Sequence, residues 1–275
     1  MTTDLSDILA DVARAAAVAA SEVIGCGDRD AVDRAAVDAL RRAFADAPIA
    51  GRIVIGEGEK DRAPMLAAGE HVGRGGPALD IAVDPIDGTR CVAEGRPGGI
   101  VAIGAAPRGS MRAPPGFRVF KLATGAASLD PAATIEDALA RLARVRGRRP
   151  RVAVLDRPRN AAYLAIARAA GADVHLLADA DLSATVAAAL PDHELDALLG
   201  VGGSPEAVVA ACAITCLKGQ LLWRPWPGEG PQQPLRALVD APAAWFVAVG
   251  VTGSELVAPG ETLTIDPHQI RRFTS

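Results

Sequence analysis

From Arg151 to Cys216 short apolar runs and helical periods take turns. RVAVLD (151–156) is followed by NAAYLAIARAAG (160–171), DVHLLAD (173–179), DLSATVAAAL (181–190), LDALLGVGG (195–203) and SPEAVVAACAITC (204–216). Strand-length runs alternating with helical periods predict an α/β unit.

The chain before this region has a different rhythm. Leu5, Ile8, Leu9, Val12, Ala16, Ala19 and Val23 recur at helical spacing over 5–24, and a second helix starting near Asp30 would turn Val37, Leu40 and Phe44 inward. Strands are predicted at Arg52–Ile55, 98–106 and 117–123, and a helix at 135–145. Between Arg141 and Arg159 stand eight arginines (141, 144, 146, 148, 149, 151, 157 and 159) against one acid, Asp156. Arg146-Gly147-Arg148-Arg149-Pro150 reads as a linker, which divides the chain into an α+β part, 1–148, and an α/β part, 149–275. Four prolines between Pro225 and Pro234 predict a loop. Beyond it AWFVAVGV and ETLTID read as the last strands.

Half of the 275 residues are hydrophobic but only 3% are aromatic, so Ala, Val, Leu and Ile must build the core. A formal charge of −4 gives no reason to expect nucleic acid or an anionic membrane as partner. Cys26, Cys91, Cys212 and Cys216 form no zinc-type pairs, and the last two read as buried thiols of a helix. The acidic start MTTDLSDILADV is unlike a signal peptide, and no apolar run is long enough to span a membrane. A reducing cytoplasm is the expected location.

Asp80-Ile81-Ala82-Val83-Asp84-Pro85-Ile86-Asp87-Gly88-Thr89 carries the clearest chemistry. An alternating apolar run ends in two carboxylates three residues apart, followed at once by Gly and a hydroxyl. Buried carboxylates cost several kcal/mol unless paired or metal-bound. A hard divalent cation with a phosphate is one reading; an Asx-type turn at Asp87-Gly88 is the other. Acids recur beside glycine at other run ends: Glu57 and Glu59 after IVI, Asp179 and Asp181 after HLLA, and Glu206 after LLGVGGSP. Each has a plainer explanation. Asp33 would complement a helix dipole. Ser204-Pro205-Glu206 reads as N-cap, N1 and N2, and Asp179-Ala180-Asp181 could cap the helix that follows. The joint pattern, several strand ends bringing carboxylates to one sheet edge, is how α/β sites are assembled.

In this order GEGEKDRAPML (56–66), DPIDGT (84–89), RPR (157–159), DAD (179–181) and GGSPE (202–206) resemble the motifs of class II fructose-1,6-bisphosphatases. These belong to the metal-dependent, lithium-sensitive sugar and inositol phosphatases. The resemblance spans about residues 20–215, with a weaker match at Val251-Thr252-Gly253. It implies an αβαβα sandwich of the inositol monophosphatase-like type. It implies Mg²⁺ or Mn²⁺ held by Asp33, Glu57, Asp84, Asp87 and Glu206. Asp87, Gly88 and Thr89 match the phosphate-contacting turn. Arg157, Pro158, Arg159, Asp179, Ala180, Asp181 and Gly203 match positions that hold the sugar and the second phosphate. Asp61 and Thr89, with Glu59 close by, match the groups that orient or deprotonate the attacking water. The family is often dimeric or tetrameric.

The chain departs from the family pattern at Arg29 (usually Lys), Asn160 (usually His), Ala180 and Ala207 (both usually Gly). A substrate-contacting Tyr is expected near 117–118, where Phe117 and Arg118 stand; the one tyrosine is Tyr163. These changes spare the implied metal ligands and fall mostly on the sugar side. The expected activity is therefore hydrolysis of a sugar phosphate, foremost fructose 1,6-bisphosphate. Sedoheptulose 1,7-bisphosphate or another specialised sugar phosphate is the alternative. A catalytically silent sugar-phosphate-binding protein is a third reading, suggested by the missing Gly and Tyr and opposed by the survival of Asp61 and Thr89.

Overall fold

The computed structural model describes residues 4–56, 66–228 and 230–274. Helices α1 (Leu5–Ser21) and α2 (Arg29–Asp46) lead into β1 (Ala50–Ile55), β2 (His71–Val72), β3 (Ala78–Asp87), the short α3 (Thr89–Ala93) and β4 (Gly99–Pro107). Then come β5 (Arg118–Thr124), α4 (Ile135–Arg146), β6 (Arg151–Leu155), α5 (Ala161–Ala169), β7 (Asp173–Leu177), α6 (Leu182–Ala187), β8 (Ala197–Gly203) and α7 (Ser204–Cys216). The chain closes with β9 (Gln220–Pro225), β10 (Gln233–Pro234), β11 (Trp245–Gly253), β12 (Glu261–Ile265) and β13 (Ile270–Thr274).

Among the described residues the strands form two mixed sheets, ordered β13-β12-β11-β4-β3-β1-β2 and β10-β9-β5-β8-β6-β7. In the first only β1 and β3 run parallel. In the second β7, β6 and β8 are mutually parallel neighbours, which fits the α/β alternation after Arg151. Residue 148 lies in the connection from α4 to β6. On its N-terminal side β5 joins the second sheet, and on its C-terminal side β11, β12 and β13 complete the first.

Period-2 alternation divides each buried strand between two cores. Ile81, Val83, Val101, Ile103, Val247 and Val249 face α1 and α2, where Leu9, Val12, Val37, Leu40 and Phe44 meet them. Ala82, Ala102, Ala106 and Ala248, on the opposite face, pack with α6 and α7 against Val119, Ala123, Ala153 and Leu198 of the second sheet. Phe120, Leu122, Val152, Val154 and Leu199 turn away from that layer onto Leu139 and Leu142 of α4 and Ala167 of α5. The outcome is five layers, helix-sheet-helix-sheet-helix, which agrees with the αβαβα expectation. Helix α7 is buried on every side because it lies between two sheets, whereas α1 and α2 keep one wet face. With so few aromatics, these interfaces rest on aliphatic side chains, each contributing about 1.5–3 kcal/mol on full burial. Among the described residues no helix is long and apolar enough to cross a membrane.

The basic linker is only partly a solvated loop. Arg146 ends α4, and with Arg148 it reaches the fully buried Asp196, each at 2.6 Å. The Pro-rich stretch is also not wholly irregular: Gln233 and Pro234 pair with Trp223 and Leu222.

Candidate functional site

Strand β3 runs through Pro85 to Asp87, so Asp84 and Asp87 both lie inside it. A regular strand would send residues three apart to opposite faces. The register against β4 slips by one residue here, with Asp84 opposite Ala102 but Asp87 opposite Ile100. Pro85 has no N–H to give a ladder, and one extra residue on the strand re-aims the side chains that follow it. Both carboxylates thereby meet Glu206 from α7, and the three offer ligand atoms within 4.8 Å of one another.

Gly88 follows in the left-handed region at φ 84° and starts α3. A Cβ there would also collide with the Gly98 carbonyl, so only glycine fits. The turn brings Thr89 Oγ1 to 2.9 Å from Asp33 Oδ1 and 3.1 Å from the Ile86 carbonyl. Asp33 does more than complement a dipole. The N-cap of α2 is Asp28, and the first-turn acid is Asp30. Likewise the N-cap of α7 is Gly203, since Ser204 Oγ donates instead to the Gly116 carbonyl. A Cβ on Gly203 would collide with the Glu206 carboxylate.

Asp87 is buried, and its burial pushes the carboxyl well above its ordinary value; Glu206 and Asp181 push the same way. Lys121 and the Leu182 amide, which donates to Asp87 Oδ2 at 3.2 Å, oppose the shift. Converging acids, one of which has its charge this disfavoured, are a fit for a cation. An all-oxygen carboxylate set suits a hard ion such as Mg²⁺ or Mn²⁺.

One cavity of about 710 Å³ gathers Asp33, Asp84, Asp87, Gly88, Thr89 and Glu206 with Arg157, Arg159, Asp179, Ala180, Asp181 and Gly203. Arg157 pairs with Asp179 and donates to the Ala178 carbonyl at 2.7 Å. Arg159 Nε donates to the Val201 carbonyl at 3.1 Å. Pro158, between them, opens a 3-10 turn. Ala180 sits at φ 60°, the backbone conformation that favours glycine. Asp181 is the N-cap residue of α6, but its side chain makes no cap bond and takes Lys121 Nζ at 2.8 Å. Glu57, Glu59 and Asp61 lie outside the described residues.

Two positions read differently in space than in sequence. Asn160 is buried, and Nδ2 donates to the Leu155 and Val201 carbonyls at 3.0 and 3.2 Å. Its Oδ1 accepts the Val201 amide at 2.7 Å, so Asn160 stitches β6 to β8. Lys121 belongs to none of the motifs, although a lone lysine within the apolar run RVFKLAT is a signal for a buried partner. Tyr163 packs on Phe120, ring centroids 5.0 Å apart, as part of the outer core.

The family described as "Bacterial fructose-1,6-bisphosphatase, glpX-encoded" matches residues 3–263. Fructose-1,6-bisphosphatase 2 class 2 of Escherichia coli (strain K12) is 41% identical over 217 residues, covering 76% of this chain and 68% of the relative. Fructose-1,6-bisphosphatase 1 class 2 of the same strain is 34% identical over 276 residues, covering 97% and 82%. A match over nearly the whole length, joined to this arrangement of acids, places the chain in the bacterial, glpX-encoded fructose-1,6-bisphosphatase family.

Proposed function

We propose that this chain is a metal-dependent phosphatase that removes the 1-phosphate of fructose 1,6-bisphosphate, giving fructose 6-phosphate and phosphate. The observation that carries the reading is the convergence of the Asp84, Asp87 and Glu206 carboxylates in the cavity that also holds the Thr89–Asp33 hydrogen bond and the arginines.

Asp84, Asp87 and Glu206, with Asp33 and Glu57, would hold Mg²⁺ or Mn²⁺. When bound, such ions neutralise a phosphate dianion, acidify a water and stabilise the leaving alkoxide. The remaining work falls to the chain itself. Gly88 and Thr89 present their amides to phosphate oxygens. Thr89, held by Asp33, and Asp61 orient the attacking water and take its proton, with Glu59 as a further candidate for that role. Arg157 and Arg159 supply forked donors to the distal phosphate. Asp179, Ala180, Asp181 and Gly203 shape the sugar's bed. The same reading includes a cytoplasmic homo-oligomer, dimer or tetramer, and no nucleic-acid or membrane partner; it rests on the family's habit and on the chain's charge and hydropathy.

A second reading, sedoheptulose 1,7-bisphosphate or another sugar phosphate, is favoured by one observation: the sugar-side turn holds Ala180 in a backbone conformation suited to glycine. Phosphate release from a panel of sugar mono- and bisphosphates with Mg²⁺ or Mn²⁺ separates the two. Fructose 1,6-bisphosphate left intact while another ester is cleaved would overturn the substrate assignment. No hydrolysis with any divalent metal would overturn the reaction class in favour of a silent binder.

A further inference from the structure

Val251, Thr252 and Gly253 end β11, where its register against β4 slips: Gly250 pairs with Ile100, but Gly253 pairs with Gly99. At the slip a side chain enters the ladder. Thr252 Oγ1 accepts the Gly99 amide at 2.9 Å, and the Gly253 carbonyl accepts the Gly98 amide at 2.6 Å. Thr252 is not among the described residues that line the cavity of Asp84, Asp87 and Glu206, so its reach into that site is indirect.

One peptide unit makes the connection. The Gly98 carbonyl and the Gly99 N–H belong to the same planar group and point to opposite sides of the chain. The N–H is held by Thr252. The carbonyl bears on Gly88 so closely that a Cβ on Gly88 would collide with it. Neither Gly98 nor Gly99 has room for a side chain: a Cβ on the first would crowd Cys91 Sγ, and one on the second would strike Val92 of α3. Two glycines in a row leave the torsions on both sides of that peptide soft. Hydrogen bonds must therefore fix its plane, and the Thr252 hydroxyl holds the edge that faces away from Gly88. Without that acceptor the plane can turn and withdraw the carbonyl. The Gly88 and Thr89 amides then lose the support that sets their direction.

We propose that Thr252 is a positioning residue for the phosphate-holding turn: its hydroxyl fixes the Gly98–Gly99 peptide, which in turn fixes Gly88 and Thr89. The proposal deepens the phosphatase reading above and rests on it.

Thr252→Val keeps the shape of the side chain and removes the hydroxyl. With the full chain and Mn²⁺, kcat/KM for fructose 1,6-bisphosphate should fall about tenfold, the size of one lost hydrogen bond. The inhibition constant of inorganic phosphate, which needs the same amides, should rise about fivefold. The Mn²⁺ activation constant should stay within about twofold, because β3 and α7, not this peptide, carry Asp84, Asp87 and Glu206. Thr252→Ser keeps the acceptor and should retain most of the wild-type kcat/KM, whereas Thr252→Ala should match Thr252→Val. The serine and alanine variants differ only in the hydroxyl, so that pair decides the question even if Thr252→Val fails to fold. Equal kcat/KM and equal phosphate inhibition in the two overturn the proposal, as does a Mn²⁺ constant that shifts as far as the phosphate constant. If the wild type spares fructose 1,6-bisphosphate but cleaves another ester, the substrate assignment fails and the same comparison is made on that ester. If it cleaves nothing, the phosphatase reading fails, and calorimetric binding of inorganic phosphate in the presence of Mn²⁺ decides. Weaker phosphate binding by Thr252→Ala than by Thr252→Ser then supports the proposal; equal binding by the two, or none by the wild type, overturns it.

Discussion

Thr89 Oγ1 lies 2.9 Å from Asp33 Oδ1, joining the turn after β3 to the second helix of the chain across 56 residues of sequence. The hydroxyl has one proton and two acceptors in reach, and a carboxylate is the stronger of them. Donation to Asp33 leaves the oxygen lone pairs directed by that bond and ready to accept from a water.

That geometry sets the first prediction. Thr89→Ala removes the acceptor without touching the carboxylate cluster. Turnover should fall by about 10²-fold or more, while Mn²⁺ affinity in calorimetry changes by less than about threefold, on the order of 0.7 kcal/mol. Thr89→Ser should restore most of the rate. Unchanged turnover in the alanine variant would remove Thr89 from the chemistry.

Asp84→Asn tests the carboxylate cluster itself. The amide keeps the shape but withdraws one charge from three acids that share a 4.8 Å group. Hard cations tolerate that loss badly. Activity and metal affinity should therefore fall together, with the metal activation curve displaced to concentrations at least about tenfold higher, roughly 1.4 kcal/mol. Full activity at the wild-type metal concentration would mean that the ion sits elsewhere.

How much of this was legible in the sequence follows from how local each signal is. The run from Arg151 to Cys216 gave its strands and helices correctly because periodicity is a property of neighbours. Which sheet β5 or β11 enters depends on pairings far along the chain, and nothing in RVFKLAT or AWFVAVGV encodes the partner. Strand β13, Ile-Arg-Arg-Phe-Thr, carries no strand signal of its own because two arginines on an edge strand look like a loop. In the site, DPIDGT was visible as acids beside glycine, but the bulge that turns Asp84 and Asp87 to one side exists only against β4. Asn160 stands where the family pattern has His, and its hydrogen bonds make it a buried brace, which only the paired strands reveal.

Ala180 offers a test of strain. An L-residue at φ 60° gives up about 1 kcal/mol or more relative to glycine. Ala180→Gly regains this, less the extra freedom glycine brings to the unfolded chain. A net gain of about 0.5–1 kcal/mol is expected, read as a rise of roughly 1–4 °C in Tm. A lowered Tm would mean that the surrounding contacts already accommodate the methyl group.

The four cysteines should separate by reactivity. Cys26 is exposed, Cys91 and Cys212 are buried, and Cys216 is partly buried. Burial raises all of the last three thiols, and Cys216 is pushed up to about 11. A raised thiol pKa suppresses the reactive thiolate at neutral pH. A thiol reagent at pH 7.5 should thus label Cys26 alone in the native protein. Labelling of Cys216 should climb as pH rises toward 11. Rapid labelling of Cys216 at pH 7.5 would contradict the burial that holds its proton.

Lys121 carries the strongest stability prediction. Its ammonium is fully buried, 2.8 Å from a carboxylate oxygen of Asp181 that is itself almost wholly inside. Forming such a pair gains little over an apolar pair, but breaking one side strands the other charge. Lys121→Met leaves Asp181 beside Asp87, whose carboxyl Asp181 and Glu206 already push up. The unfolding free energy should drop by about 3–5 kcal/mol, measured from the denaturant midpoint. Lys121→Met combined with Asp181→Leu should recover part of that loss, because no unpaired charge remains at the pair. Divalent metal should raise the Tm of Lys121→Met more than that of the wild type, since a bound cation offsets the added repulsion among the acids. Equal stability in Lys121→Met and wild type would mean that Asp181 reaches water or a proton when its lysine is gone, and that the buried pair is not what holds the floor of the site.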